Sequence, residues 1–149
     1  MKKLLLLLFI PFVSFGQDFD DLKQIDSEKQ FKRVMFENEY AQIKNELTYR
    51  LTYAFNYNDS SEQASLWANF YLNSGLMLFQ MVRNYDGSSN ERFTRILEQV
   101  KRECTFYDFY DNYGDEYICY TCPNSKYKGK IGFSRGDDGS DYIETFNFD

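Results

Sequence analysis

Residues 47–57 read LTYRLTYAFNY, and this stretch decides the fold. Leu47, Tyr49, Leu51, Tyr53, Phe55 and Tyr57 alternate with Thr48, Arg50, Thr52, Ala54 and Asn56. Successive strand side chains point to opposite faces of a sheet, so this alternation predicts a strand with one buried face. The polar run NDSSE breaks it at 58–62. ASLWANFYL (64–72) then alternates again, with Leu66, Ala68, Phe70 and Leu72 on one side. NSG at 73–75 suits a hairpin turn, and LMLFQMVR is the returning strand.

Upstream, the period is helical. Ser27 can cap a helix in which Phe31, Val34 and Met35 fall on one face, ending near Asn38. Downstream of the loop at 84–90, Ser89 or Asn90 caps a second helix with an apolar stripe of Phe93, Ile96, Leu97, Val100 and Cys104. Four further short strands follow, separated by turns at NYGD, PNSKYK and GDDGS. FKRVM at 31–35 and FTRIL at 93–97 open two halves offset by 62 residues. The same offset carries the hairpin at 66–82 onto the one near 129–145. The expected fold is therefore α+β: two helices packed on one face of an antiparallel sheet. It divides into half-repeats at 27–83 and 89–148, each a helix plus three or four strands.

This tandem order resembles that of β-lactamase-inhibitor-protein-like folds, in element order alone. The ending SFGQ of the leader and the combination ECTFYDF…YICYTCPNSKYKGKIGFSRGD also resemble small uncharacterised exported proteins of flavobacteria and their relatives. That second resemblance implies export but lends no activity.

The N-terminus is read for targeting. Lys2 and Lys3 precede an apolar run from Leu4 to Val13, and Ser14 and Gly16 provide small residues before a cleavage site at Gln17. Residues 1–16 thus read as a secretory signal peptide, too short in its apolar run to anchor in a bilayer. The polar, acidic residues 17–26 are expected to be a flexible lead-in, and 27–149 a single domain. Removing Lys2 and Lys3 leaves 15 basic against 23 acidic residues, a surface that repels phosphate backbones and disfavours nucleic acid and anionic lipid as partners. Histidine is absent, which removes the commonest general base and most zinc and copper ligand sets.

All three cysteines fall between Glu103 and Pro123. A catalytic C-x-x-C usually opens a helix, whereas YICYTC sits in a β-rich segment followed by turn residues. A zinc site would lack a fourth ligand unless Glu103 or Asp115 supplied it. A hairpin about Asn112–Asp115 that pairs 110 with 116 and 108 with 118 sets 106 against 120 and 104 against 122. Cys104 and Cys122 then meet on one face, with Cys119 on the other. The expectation is a structural Cys104–Cys122 disulfide and a spare Cys119, in the oxidising compartment that export implies.

Other motifs have local explanations. RGD at 135–137 lies where a turn needs Gly and Asp. DGSSNE (86–91) and DDGSD (137–141) are rich in oxygen ligands but lack full calcium-loop spacing. Asp108, Asp111, Asp115, Glu116 and Glu144 could pair for acid–base work, though 23 acidic residues always supply such pairs.

The aromatics carry the functional expectation. If Leu66, Ala68 and Phe70 face the helices, Trp67, Asn69 and Tyr71 face away, with Tyr107, Phe109 and Tyr117 on the same outward side. Flat amphipathic rings of this kind make binding surfaces, or else they cover one another in cross-strand pairs. The binding candidates are Trp67, Asn69, Tyr71, Tyr107 and Tyr117. The expected protein is an exported, periplasmic or extracellular, non-catalytic binding module for a protein partner. The alternatives are carbohydrate binding through the same rings, or a thiol-redox or carboxylate-based enzyme. No catalytic residue, metal or cofactor is assigned.

Overall fold

The computed structural model describes residues 17–44 and 46–148; residues 1–16, expected above to be a signal peptide, lie outside them. The described residues form an α+β fold of three helices and an eight-stranded antiparallel sheet. The helices are α1 (Phe19–Lys23), α2 (Glu28–Glu37) and α3 (Glu91–Glu103). The strands are β1 (Ala41–Ile43), β2 (Arg50–Phe55), β3 (Leu66–Tyr71), β4 (Met77–Val82), β5 (Thr105–Asn112), β6 (Asp115–Thr121), β7 (Lys130–Arg135) and β8 (Ser140–Phe146). Their order across the sheet is β1-β2-β3-β4-β8-β7-β6-β5. Two four-stranded meanders thus meet at β4 and β8.

The helix ends follow the expected chemistry. Ser27 Oγ accepts from the Gln30 amide at the start of α2, and Asn90 Oδ1 accepts from the Arg92 amide at the start of α3. Phe31, Val34 and Met35 of α2 and Phe93, Ile96 and Val100 of α3 are buried against one sheet face. That face contributes Tyr53, Leu66, Ala68, Phe70, Met77, Phe79, Met81, Ile131, Phe133 and Ile143. Leu66, Ala68 and Phe70 turn toward the helices as the alternation requires.

The seam carries the 62-residue repeat into the backbone. Leu78 pairs with Glu144 and Val82 with Ser140. Advancing Leu78 by 62 gives Ser140, and advancing Val82 gives Glu144, so exchanging the halves reproduces the same pairs. At one end Arg83 Nε donates to Asp141 Oδ1 at 2.8 Å, with Asp141 fully buried. Arg83 also donates to the Gly136 and Ser140 carbonyls, and the Met77 amide to Thr145 Oγ1.

Three expectations are corrected. Residues 17–26 are no flexible lead-in: α1 is closed by an Asp18–Asp21 capping box, and Phe19, Leu22 and Ile25 are buried in the main core. The acidic composition hid three apolar residues at helical spacing. The strand of the opening stretch is shorter than its alternation, starting at Arg50 and ending before Asn56, whose φ is +53°. Its far face is not open either, since Thr52 and Ala54 are also buried.

Two measurements check this packing. Leu22→Ala should cost about 2–5 kcal/mol in urea unfolding, as for other buried leucines; a flexible lead-in would show no change. Arg83→Met should cost about 3 kcal/mol by leaving the buried Asp141 carboxylate with only the more distant, exposed Arg135 at 3.6 Å.

Candidate functional site

β5 and β6 form the site, and their turn sets its register. Tyr113 and Gly114 both have positive φ, at +56° and +94°, which makes the two-residue turn that matches strand twist. Asn112 therefore pairs with Asp115, Tyr110 with Tyr117 and Phe109 with Ile118. The expected 110–116 and 108–118 pairs do not form. A bulge between Phe106 and Asp108 then shifts the register by one, restoring Phe106 opposite Tyr120. The disulfide falls where expected: Cys104 and Cys122 are bonded, with Cα atoms 4.4 Å apart, and Cys119 is free.

The bulge also decides the faces. FYDFYD has a period of three, and strict alternation would scatter its rings. With one extra residue at Tyr107, Phe106 and Phe109 share the helix side, 5.4 Å apart, while Tyr107 and Tyr110 share the far side. Phe109 thus does not accompany Tyr107 and Tyr117.

On the far side the rings pack on one another, with Tyr117 and Phe146 buried and Tyr107 and Tyr110 left 48% and 37% exposed. Tyr107 stacks on Phe148, Tyr110 meets Phe146 and Phe148, and Tyr117 meets Phe146. Gly132 permits this, because a Cβ there would lie 2.8 Å from the Phe146 ring. Tyr117 is buried, and Lys130 Nζ sits 4.2 Å from the Tyr107 ring centre. Burial raises the Glu144 carboxyl above its usual range, partly opposed by hydrogen bonds from Tyr117 and Asn112. Burial, and then Glu144 itself, holds the Tyr117 phenol protonated. The carboxyl–phenol pair closes polar ends within a packed aromatic layer.

The other three candidates sit in the opposite half. Asn69 is buried, and its Oδ1 accepts from Thr52 Oγ1 at 2.9 Å. Trp67 and Tyr71 are half-buried, Trp67 with its ring edge-on to Tyr57. β3 and β6 are four strand steps apart, about 19 Å at the usual spacing. The five residues Trp67, Asn69, Tyr71, Tyr107 and Tyr117 therefore do not converge on one site.

A second exposed surface lies on the helix side, where sequence reasoning did not look. One apolar row crosses seven strands: Tyr53, Ala68, Phe79, Ile143, Phe133, Ile118 and Phe109. Exposure is 6% or less from Tyr53 to Phe133, then rises to 38% at Ile118 and 56% at Phe109. Phe106 beside them is 50% exposed. Cover from α3 reaches Phe133 of β7, where Phe93 packs edge-on, and Tyr120 of β6, which is buried, but not Ile118 or β5. Beyond it runs a groove of about 270 Å³, walled by Phe93, Leu97 and Lys101 and floored by Ile118, Tyr120 and Phe133. The period-three FYDFYD was the available signal for this face.

The loop motifs resolve locally. Asp86 accepts from Ser88, and Asp138 from the Ser140 amide and the Tyr142 hydroxyl. Arg135 of the RGD tripeptide donates to the Gly87 carbonyl and faces Asp141.

Cys119 is fully buried, and burial, with Asp108 and Glu144 adding to it, pushes its thiol up to about 11. It should resist iodoacetamide at pH 8 in the native state and react once unfolded, as peptide mapping would show. The folded thiol keeps its proton to about 11, whereas an ordinary one loses it near 9.0. Its stabilising contribution is therefore complete below pH 9 and lost as pH rises through 11.

No known family matches the chain, nor does any curated protein or any solved structure.

Proposed function

We propose that the protein is exported and acts as a non-catalytic binding module for a protein partner at the cell envelope or outside. Its site is the helix-side face of the β5–β6 hairpin. The observation that carries this reading is the exposure of Phe106, Phe109 and Ile118 together beside the apolar groove. Rings half-open to solvent on a braced hairpin are costly to leave wet and supply rigid contact area. The Cys104–Cys122 bond supports an oxidising compartment, in keeping with the leader sequence. Among the described residues, no helix is long and apolar enough to cross a membrane.

Two features weigh against the alternatives. A glycan site needs open rings beside free polar groups, but the Asn69 carbonyl is engaged by Thr52 and the Tyr117 ring is buried. Thiol exchange needs a reactive thiolate, whereas Cys119 is buried with its proton held and its two neighbours are bonded to each other.

The test is crosslinking capture from an envelope extract, followed by affinity measurement with the purified partner. Phe106→Ala/Phe109→Ala should weaken that affinity at least about tenfold, the scale of a truncated interface anchor, with an unchanged unfolding midpoint. Undiminished affinity would remove the hairpin as the site. A glycan-array signal that survives this double substitution would favour the carbohydrate reading.

A further inference from the structure

We infer that the exported chain begins at Gln17 and that Gln17 is a modification site. Its α-amine closes on its own side-chain amide to give pyroglutamate, which the fold then buries. This rests on the export reading, since the amine is free only once residues 1–16 have been cut away. The step needs no oxidant, reductant or cofactor. The amine nitrogen bonds to Cδ, the Cδ–Nε2 bond breaks, and one amine proton leaves with Nε2 as ammonia. The product is a lactam, and the terminal positive charge is gone.

The surroundings of Gln17 suit that product. The residue is fully buried, although it directly precedes the short helix α1. Its hydrogen bonds end on oxygen. Tyr40 Oη donates to Oε1 at 2.8 Å, and the Arg95 guanidinium donates to the Gln17 backbone carbonyl at 3.2 Å. Arg92 in turn donates to Tyr40 Oη at 3.3 Å, and burial holds that phenol protonated up to about 12. Gln17 Nε2, by contrast, is buried and has no acceptor. A buried donor left unpaired is destabilising, and this one is the atom that ring closure expels.

Charge points the same way. Arg92 and Arg95, one turn apart on α3, both reach the Gln17–Tyr40 pair. The nearest carboxylates are engaged: Asp18 and Asp21 close the capping box of α1, and Asp21 also accepts from Asn38. An α-ammonium at Gln17 would be a third cation in a buried place, without a carboxylate of its own. The lactam brings two carbonyl oxygens and no charge. Closure comes first, on the newly cut end, and docking follows. Phe19 and Leu22 then continue into the core, and the Phe19 amide donates to Gln99 Oε1. Burial of the ring would also shield the chain end from aminopeptidases.

The experiment is peptide mass spectrometry on the protein recovered from the exported fraction of its own cells. Amines are labelled on the unfolded intact protein first, so that ring closure during digestion is not counted. The expected N-terminal peptide starts at residue 17, is lighter than its sequence by one ammonia, and carries no label at its end. Pyroglutamyl aminopeptidase should release the ring from the unfolded protein and fail on the folded one. A labelled Gln17 amine would overturn the inference and leave export and the binding module standing. A retained leader would overturn both the inference and export, and a start at another residue would overturn the inference alone. Release of the ring from the folded protein would overturn its burial. Gln17→Asn, whose shorter side chain cannot close the ring, tests the consequence for the fold. Amide exchange at Phe19–Lys23 should speed up at least about tenfold, the scale of one buried pairing lost, with β7 and β8 unchanged. Equal protection in that variant would overturn the role given to the ring.

Discussion

The pairing of β4 with β8 is the constraint on which the rest depends. Each half of the chain is a meander with a helix, and neither has a second layer broad enough to close a core alone. Joined along Leu78–Val82 and Ser140–Glu144, they make one sheet over which α2 and α3 lie on the same side. The join is held by more than its ladder. Asp141 is buried beside Arg83, a pair whose geometry offsets the desolvation of both charges only while the seam is intact. Because the pairing survives exchange of the halves, one strand edge serves both as donor and as receiver of the contact.

The same symmetry explains where the molecule is left open. Eight strands at the usual spacing span more width than α1, α2 and α3 can cover. At β2, Arg92 of the second half reaches across to Tyr40 and Phe55 of the first. α1 fills the gap near the other ends of the strands, where Lys126 donates its amide to the Lys23 carbonyl and Lys23 bonds Glu103. On the helix side of β6, Lys101 and Arg135 line the groove beside Ile118, while Phe109 and Phe106 of β5 stay exposed. Exposure there follows from helix count and strand count, and the disulfide and the tight turn keep the exposed hairpin in shape.

Much of this was legible in the chain. Alternation at 47–57 and 64–72, the caps at Ser27 and Asn90 and the 62-residue offset led to the layers and to the tandem order. Those signals are local, and local backbone preference agrees with the tertiary outcome at each of them. The pairing of Cys104 with Cys122 was legible for a subtler reason. A turn that sets the register one residue away from the expected one and a bulge of one residue cancel before the cysteines are reached.

The candidate site was not legible, because face assignment in a bulged strand is a tertiary fact. FYDFYD permits either a regular strand, with Phe109 on the far side, or a bulged one with both phenylalanines toward the helices. The choice is made by the turn at Tyr113–Gly114 and by the disulfide at the other end, acting together. Burial of Tyr117 and Asn69 was equally out of reach, since it depends on Phe146 crossing Gly132 and on Thr52 lying opposite Asn69. Sequence alone determined the elements other than α1 and β1, their order and the pairing of the thiols. The tertiary structure decided which rings are wet, because exposure depends on how far a helix layer extends over a sheet.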